Sequence, residues 1–447
     1  MTTTNQYNRR ALLKVGCTTS FLTACGLDTN HAESDILTNS AEIDFRKSMN
    51  SYLQESCSVF PITEYGAVSG GVFDNTAIIQ AAIYDAAKSR GVVVIPSGVW
   101  GVGFDTVTSI KIPSGVSIIG TGNGSVLKVL TQTLHRTHVF TNSDWEAGNK
   151  DITISSLHID CSGFGTQDSG DHRINGITFW RVSNGKAIDV SVVDGFGYGI
   201  WCFESERCLV EKCYIRNFND GIEFSNSTIY CKCINNLVES TGEYHWVSSG
   251  ILLYAGARYN LISGNSVIGG FGQGISTSSG YGAGENNIIS NNIIDTNNAP
   301  GILIDGVGNS IIGNNIKTFQ QPGLLFESRW GHPVKGTQVC NNRFECDNKQ
   351  AVFGRDFAIA MQENSHDVVI SNNIILADST LAIRLSGQNV IVTNNQINMV
   401  DSSYQIAMHI INASNVVISH NIIEAYDGII DESESNGINI SNNISVA

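Results

Sequence analysis

Cations and prolines are scarce in this chain. Lysine and arginine together number 26 against 41 aspartates and glutamates, a formal charge of −15. A surface so acidic argues against nucleic acid and against an anionic membrane as partners. It also disfavours a polyanionic substrate unless a local cation patch or a bound metal intervenes. Proline occurs 6 times and charged residues make up 15%, which fits neither a disordered chain nor a helical bundle. At 447 residues two or three ordinary domains would fit, although repetitive β-folds run this long as one. Cysteine, at 11, is not scarce, but zinc-ligand spacing is missing: "CKC" at 231–233 has no partner pair. No metal site is expected.

No apolar run is long enough to span a bilayer; the N-terminal one is short and broken by Lys14. "NRRALLKVGCTTSFLTAC" instead has the look of an export label, with Arg9-Arg10 ahead of a short apolar stretch. Leu22-Thr23-Ala24-Cys25 resembles a lipobox, in which Cys25 would become the lipidated N-terminus. Lipid anchoring, simple cleaved export and an ordinary apolar N-terminus are the three readings. The first two place the protein outside the cytoplasm, as an envelope lipoprotein or a secreted or periplasmic protein, touching a membrane only through its lipid. The expected organisation is a signal at 1–25, a polar tether at 26–56 and one domain at 57–447.

What the chain does have is a repeat. The phrase "NN-I" and its relatives place Asn236, Asn265, Asn292, Asn315, Asn342, Asn373, Asn395, Asn421 and Asn443 at intervals of 29, 27, 23, 27, 31, 22, 26 and 22, with Cys213 and Ser191 as backward extensions. Intervals from 22 upward with irregular excess describe a coiled solenoid with loop insertions. Apolar residues alternate within each repeat, as in "NVIVTNNQI", and a period of two means strands. Stacked coils lie ~4.8 Å apart, so equivalent Asn amides would hydrogen-bond from coil to coil. A turn preference alone would not put Asn before Ile so often.

A second column is glycine: Gly176, Gly199, Gly221, Gly250, Gly274, Gly301 and Gly323 open "GITFW", "GIWCF", "GIEFS", "GILLY", "GISTS", "GILID" and "GLLFE", and later coils carry Ala instead. The second and fourth residues of these strands should point inward, the third and fifth outward. In the same register Cys208 and Cys231 each lie five residues before the ladder position and so become neighbours. Buried free thiols or a disulfide between these two both fit.

Residues 62–102, "ITEYGAVSGGVFDNTAIIQAAIYDAAKSRGVVVIPSGVWGV", resemble the opening of pectate-lyase-superfamily proteins, where a Gly-Ala-rich strand precedes an Asp-Asn-Thr helix cap. Read directly, Asp74–Thr76 can cap a helix over about 75–90, and Ile78, Ile79, Ala82, Ile83 and Ala86 give it one apolar face. The resemblance covers this opening and, more loosely, the coils beyond it. It implies an all-β chain wound as a single-stranded right-handed parallel β-helix, plugged at its N-terminal end by the capping α-helix. Members of that superfamily include polygalacturonase-like hydrolases, polysaccharide lyases, uronate epimerases and phage tailspikes. The Asn-Thr-Asp, Asp-Asp, Gly-His-Gly and Arg-Ile-Lys signatures of polygalacturonase-like enzymes are missing, so no catalytic residue carries over.

Candidate site residues follow from the outward positions of the glycine-led strands. Trp180, Trp201, Phe203 and Tyr254 would line one stripe, and a sugar's C–H face packs on an aromatic face. Insertions at 161–175, 241–249, 279–286 and 327–337 would wall it, adding Asp171, Arg173, His245, Trp246, Tyr281, Arg329 and Trp330. Asp305 and Glu327 hold equivalent positions on adjacent coils, about 5 Å apart, so one should keep its proton. That spacing is the one retaining glycosidases use. A surface pair neutralised by Arg329 is the plain alternative. Glu223, roughly 14 Å away, would need another partner such as Asp171. His245 is the candidate lone histidine, against a structural role.

Three functions compete on this evidence. The first is an exported hydrolase of a neutral or weakly charged polysaccharide, working without a cofactor. The second is a uronate lyase or epimerase, which would need a Lys, Arg, His or Tyr base with cationic or Ca²⁺ neutralisation. The third is a non-catalytic glycan-binding or structural protein. A homotrimer packed along the helix side fits the shape.

Overall fold

The computed structural model describes residues 58–104, 109–130, 136–164, 173–242, 248–277, 282–327, 331–347, 357–400, 405–433 and 437–446. Their 38 strands join one parallel ladder. Most coils contribute three strands, as in Asp220–Ser225, Lys232–Ile234 and Leu237–Ser240, and each pairs with its counterpart one coil on: Ile222 with Ile251, Cys233 with Ile262, Val238 with Val267. The chain is a parallel β-helix, as the repeat predicts. Its core is the stack of inward residues, Ile200, Ile222, Ile251, Ile275 and Ile302 among them, all buried. Each such side chain contributes about 1.5–3 kcal/mol relative to exposure.

The glycine column has a steric cause. A Cβ on Gly199, Gly221 or Gly250 would stand 2.3–2.4 Å from the Cγ of Ile215, Val238 or Val267 in the same coil, and 2.5–2.7 Å from the next glycine's carbonyl oxygen. At Gly323 the nearest contacts have opened to 2.8–3.2 Å, and the following coils carry Ala358, Ala382 and Ala407, all fully buried.

The asparagine ladder forms, with one member corrected. Side-chain amides link Asn236, Asn265, Asn292, Asn314, Asn342, Asn373, Asn395, Asn421 and Asn443 at 2.9–3.0 Å. The fourth member is Asn314, not Asn315, which is exposed. The residue before each ladder position turns left-handed: Lys212, Asn235, Gly264, Asn291, Gly313, Asn341, Asn372, Asn394, His420 and Asn442 have φ of 53° to 68°. Asparagine and glycine tolerate that conformation best, which explains the doubled Asn. In "GNNI" Gly313 takes the turn, so the ladder residue is the one after it.

The amides inside the ladder are saturated. Asn265 Oδ1 accepts from Asn236 N and Nδ2, while its own Nδ2 donates to the Cys233 carbonyl and to Asn292 Oδ1. Cys213 heads the column, its N–H donating to Asn236 Oδ1. Ser191 does not belong to it. Ser191 pairs with Tyr214, which puts Val190 opposite Cys213.

A second, shorter ladder runs five residues upstream: Cys208 N donates to Cys231 Sγ, Cys231 N to Asn260 Oδ1, Asn260 N to Asn287 Oδ1 and Asn287 N to Asn309 Oδ1. Cys208 and Cys231 are neighbours as the register predicts, but both thiols are free and buried. Cys231 Sγ replaces an amide as acceptor and Cys208 Sγ donates to the Val182 and Glu206 carbonyls, rather than the two forming a disulfide.

The helix Thr76–Ala87 precedes the coils and buries Thr76, Ile79, Ala82, Ile83 and Ala86; Ile78 is only half-buried. Asp74 Oδ1 accepts from Thr76 N and Gly103 N, and Asn75 ties its side chain to the carbonyls of Val68, Phe73 and Gly101. The cap motif therefore also fastens the helix to the first coils. Among the described residues no helix is long and apolar enough to cross a membrane.

Candidate functional site: a buried carboxyl pair beside an aromatic stack

On the glycine face, register aligns the third positions Thr178, Trp201, Glu223, Leu252, Ser276, Leu303 and Leu325. They point away from the core, as expected, yet they are not exposed: Trp201 is 4% accessible and Glu223 1%. Side chains in neighbouring coils close over one another. Further along, Leu303, Leu325 and Ala360 form a small apolar cluster with Phe357. The open stripe expected from alternation is thus a covered layer, in which Trp180, Phe203 and Tyr254 are half-exposed.

Glu223 sits in the middle of that layer. Ser225 Oγ donates to its Oε1 at 2.9 Å, and Trp201 Nε1 donates to Ser225 Oγ at 2.9 Å. Its partner is Asp220, on the same strand just before the glycine, where the column Tyr198–Asp220–Ser249 runs past it. Asp220 Oδ1 accepts the Ser249 N–H at 3.0 Å. Burial pushes the Asp220 carboxyl up to about 6, against the hydrogen bonds from Ser248 and Ser249 and the Arg173 guanidinium. Burial, then the Asp220 charge, pushes Glu223 well above the ordinary carboxylate range; Ser225, Tyr254 and Trp201 oppose the shift. Two carboxyl groups this close and dry do not both ionise readily. Burial and the same two carboxyls push Tyr198 and Tyr254 up as well. Arg173 stands at the edge with its Nε buried and without a hydrogen-bond partner.

Toward the N-terminal end lies the aromatic stack. Trp145 lies parallel to Trp180 at 4.8 Å, Trp180 to Phe203 at 3.9 Å, and Trp201 meets both Trp180 and Phe203 edge-on. Both faces of Trp180 are therefore taken by other rings. The stack presents ring edges, so face-on packing of a sugar on Trp180, the basis for expecting it as a binding residue, is blocked. Arg181 donates to the Trp145 and Glu146 carbonyls and pairs with Glu204, holding the Trp145 segment in place. His138 completes this end, buried against Trp145. Its Nδ1 lies 2.7 Å from Thr178 Oγ1. Burial lowers its pKa to about 3, so it is neutral.

Asp305 and Glu327 do occupy equivalent places on adjacent coils, since Ile304 pairs with Phe326. Asp305 is fully buried and its carboxylate accepts the Gly306 N–H, while its carbonyl receives Thr277 Oγ1 and Asn309 Nδ2. Those contacts are a turn's. Asp171, His245, Trp246, Tyr281, Arg329 and Trp330 lie outside the described residues. Sequence reasoning missed Asp220, Tyr198, Trp145 and the Ser225 relay. Among the described residues no group of three or more His, Cys, Asp or Glu could hold a metal ion.

A parallel β-helix with a glycine-cornered face defines the class of protein. The chain belongs to the right-handed β-helix family, whose model, described as "Right handed beta helix region", matches residues 175–329 and 301–445. Over 143 residues it is 30% identical to YobO of Bacillus subtilis (strain 168), described as phage-related; the match takes in 31% of this chain but only 17% of that protein. Among solved structures it is similar to the A-module of the mannuronan C-5 epimerase AlgE6 of Azotobacter vinelandii, with 16% identity, a TM-score of 0.50, and 87% and 99% of the two chains covered. It is also similar to a tailspike mutant of Escherichia coli bacteriophage HK620 in complex with a pentasaccharide, with 14% identity, a TM-score of 0.51, and 88% and 66% covered. At such identities the likeness is one of fold.

Proposed function

We propose that the chain is an exported enzyme that cleaves glycosidic bonds of a polysaccharide, with Glu223 as proton donor and Asp220 as its carboxylate partner. The observation that carries this reading is the buried pair itself. One carboxyl is held protonated well above its ordinary range while the other titrates at about 6, the division of labour that acid–base hydrolysis of a glycoside needs. Trp201, Tyr198, Tyr254 and Arg173 would wall the site. That β-helix neighbours include a glycan-modifying enzyme and a tailspike solved with an oligosaccharide supports a glycan as the ligand. Asp305 and Glu327, first candidates by spacing, take second place because Asp305 is engaged in the backbone of its turn.

A lyase or epimerase working through a tyrosine base is less favoured, because that tyrosine would have to ionise. Both tyrosines beside Glu223 are pushed the other way. The near-complete burial of Glu223 favours a different second reading, a non-catalytic glycan-binding surface protein with a structural acid cluster. The test is the mature protein on a panel of bacterial capsules, pectins, alginate and neutral glycans, read by reducing ends and by ultraviolet absorbance of unsaturated products. Glu223→Gln should lower hydrolysis by about 10²–10⁴-fold, with folding intact. Binding without turnover in the unaltered protein would replace the enzyme by the binding module.

A further inference from the structure

The hydrogen bonds around Glu223 can be resolved down to single protons. An indole N–H only donates, so Trp201 Nε1, 2.9 Å from Ser225 Oγ, fills one lone pair of that hydroxyl. The Tyr254 hydroxyl adjoins both Ser225 and Glu223. Tyr254, the stronger acid of the two hydroxyls, donates to Glu223. Ser225 has a single proton, and the acceptor it is aimed at, 2.9 Å away, is Glu223 Oε1. An oxygen that receives a hydrogen bond along this line is the carbonyl oxygen of a protonated carboxyl group.

We infer that Ser225, oriented by Trp201, is a positioning residue that fixes the acidic proton of Glu223 on Oε2. The relay runs Trp201 N–H to Ser225 O–H to Oε1, and it leaves Oε2 as the oxygen from which a proton can be delivered. The hydroxyl thereby also sets how tightly the proton is held. A donor aimed at Oε1 favours the ionised form, because a carboxylate accepts more strongly than a carbonyl. The catalytic meaning of this placement rests on Glu223 being the proton donor; the placement itself does not.

Other charges facing Glu223 are Asp220 on its own strand, Tyr198 from the coil before and Tyr254 from the coil after. Arg173 acts on Asp220 and, with Arg136, on Tyr198. Of these, Tyr254 also bonds Ser225, so Tyr254→Phe is titrated alongside to separate its contribution.

The experiment is an infrared difference titration of the full chain. The carboxylic C=O band of Glu223 is assigned by its disappearance in Glu223→Gln and followed with pH in the unaltered protein, Ser225→Ala, Ser225→Thr and Ser225→Cys. Losing the Ser225 donor should raise the midpoint by about one pH unit, a roughly tenfold gain in proton affinity. Ser225→Thr should restore it. An unchanged midpoint in Ser225→Ala overturns the relay. A lowered one overturns it too, because then Glu223 donates to Ser225 and its proton sits on Oε1. If Ser225→Ala does not fold, Ser225→Cys carries the decision: a thiol is the weaker donor, so the midpoint should rise, and no rise counts against the relay. Turnover that survives Glu223→Gln would sink the proposed enzyme reaction while leaving the titration result standing.

Discussion

At the scale of single residues, Asp220 and Glu223 make the folded protein's stability depend on pH with a defined sign. Unfolded, such carboxyls titrate near 4; folded, Asp220 does so at about 6, and Glu223 is pushed well above its ordinary range. Between those values the native state binds more protons than the unfolded one, so stability present below about pH 4 is lost as pH rises through about 6. Asp220→Asn and Glu223→Gln should therefore stabilise the protein at pH 7 in urea melts, and the gain should vanish below about pH 4. His138 slopes the other way: neutral when folded down to about 3, it costs stability as pH falls from about 6.5. Glu223 was legible as the outward residue of "DGIEFS". Asp220 was not, because strict alternation was counted from the glycine onward. The register pairs Asp220 with Tyr198 and Ser249 and resumes at Ile222, so the residue before the glycine falls outside that alternation.

At the scale of the repeat, the two ladders and the glycine column decide what can change. Asn314→Ala would leave the Asn292 N–H and amide without this acceptor and the Ile289 carbonyl without this donor, and would leave Asn342 Oδ1 only the backbone N–H of residue 314. A loss of about 2–4 kcal/mol in chemical denaturation is expected. Its neighbour Asn315 is exposed, and Asn315→Ala should stay within about 0.5 kcal/mol. Gly221→Ala should cost about 1–3 kcal/mol, since the new methyl meets Val238 at 2.4 Å. The spacing of Asn made the coils visible in the sequence. The rule "Asn before Ile" misplaced one member, because the turn is set by the left-handed residue ahead of the ladder. The second ladder was hidden behind its mixed chemistry, with Cys208 and Cys231 standing where Asn260, Asn287 and Asn309 stand later.

Across the described residues, the strand pairing runs from each coil to its neighbours, so stability should be close to a sum of local terms. The helix Thr76–Ala87 covers the coils at one end. In the last described coil Ile444 is 60% and Val446 46% exposed, and its strands pair only with the coil before. Amide hydrogen exchange should accordingly be fastest over residues 438–446 and slowest in the coils around Ile222 and Ile251. This gradient follows from stacking, and the repeat alone implied it. The site did not follow, because which side chains close over a face depends on packing between coils that no single repeat encodes.

Three indoles, those of Trp145, Trp180 and Trp201, crowd into one patch, and the last is wired by its N–H to the group beside Glu223. The protein thus carries its own optical gauge. Near-ultraviolet circular dichroism should show coupling between the parallel indoles, and tryptophan emission should follow the ionisation of Glu223 and the arrival of any ligand, without a label.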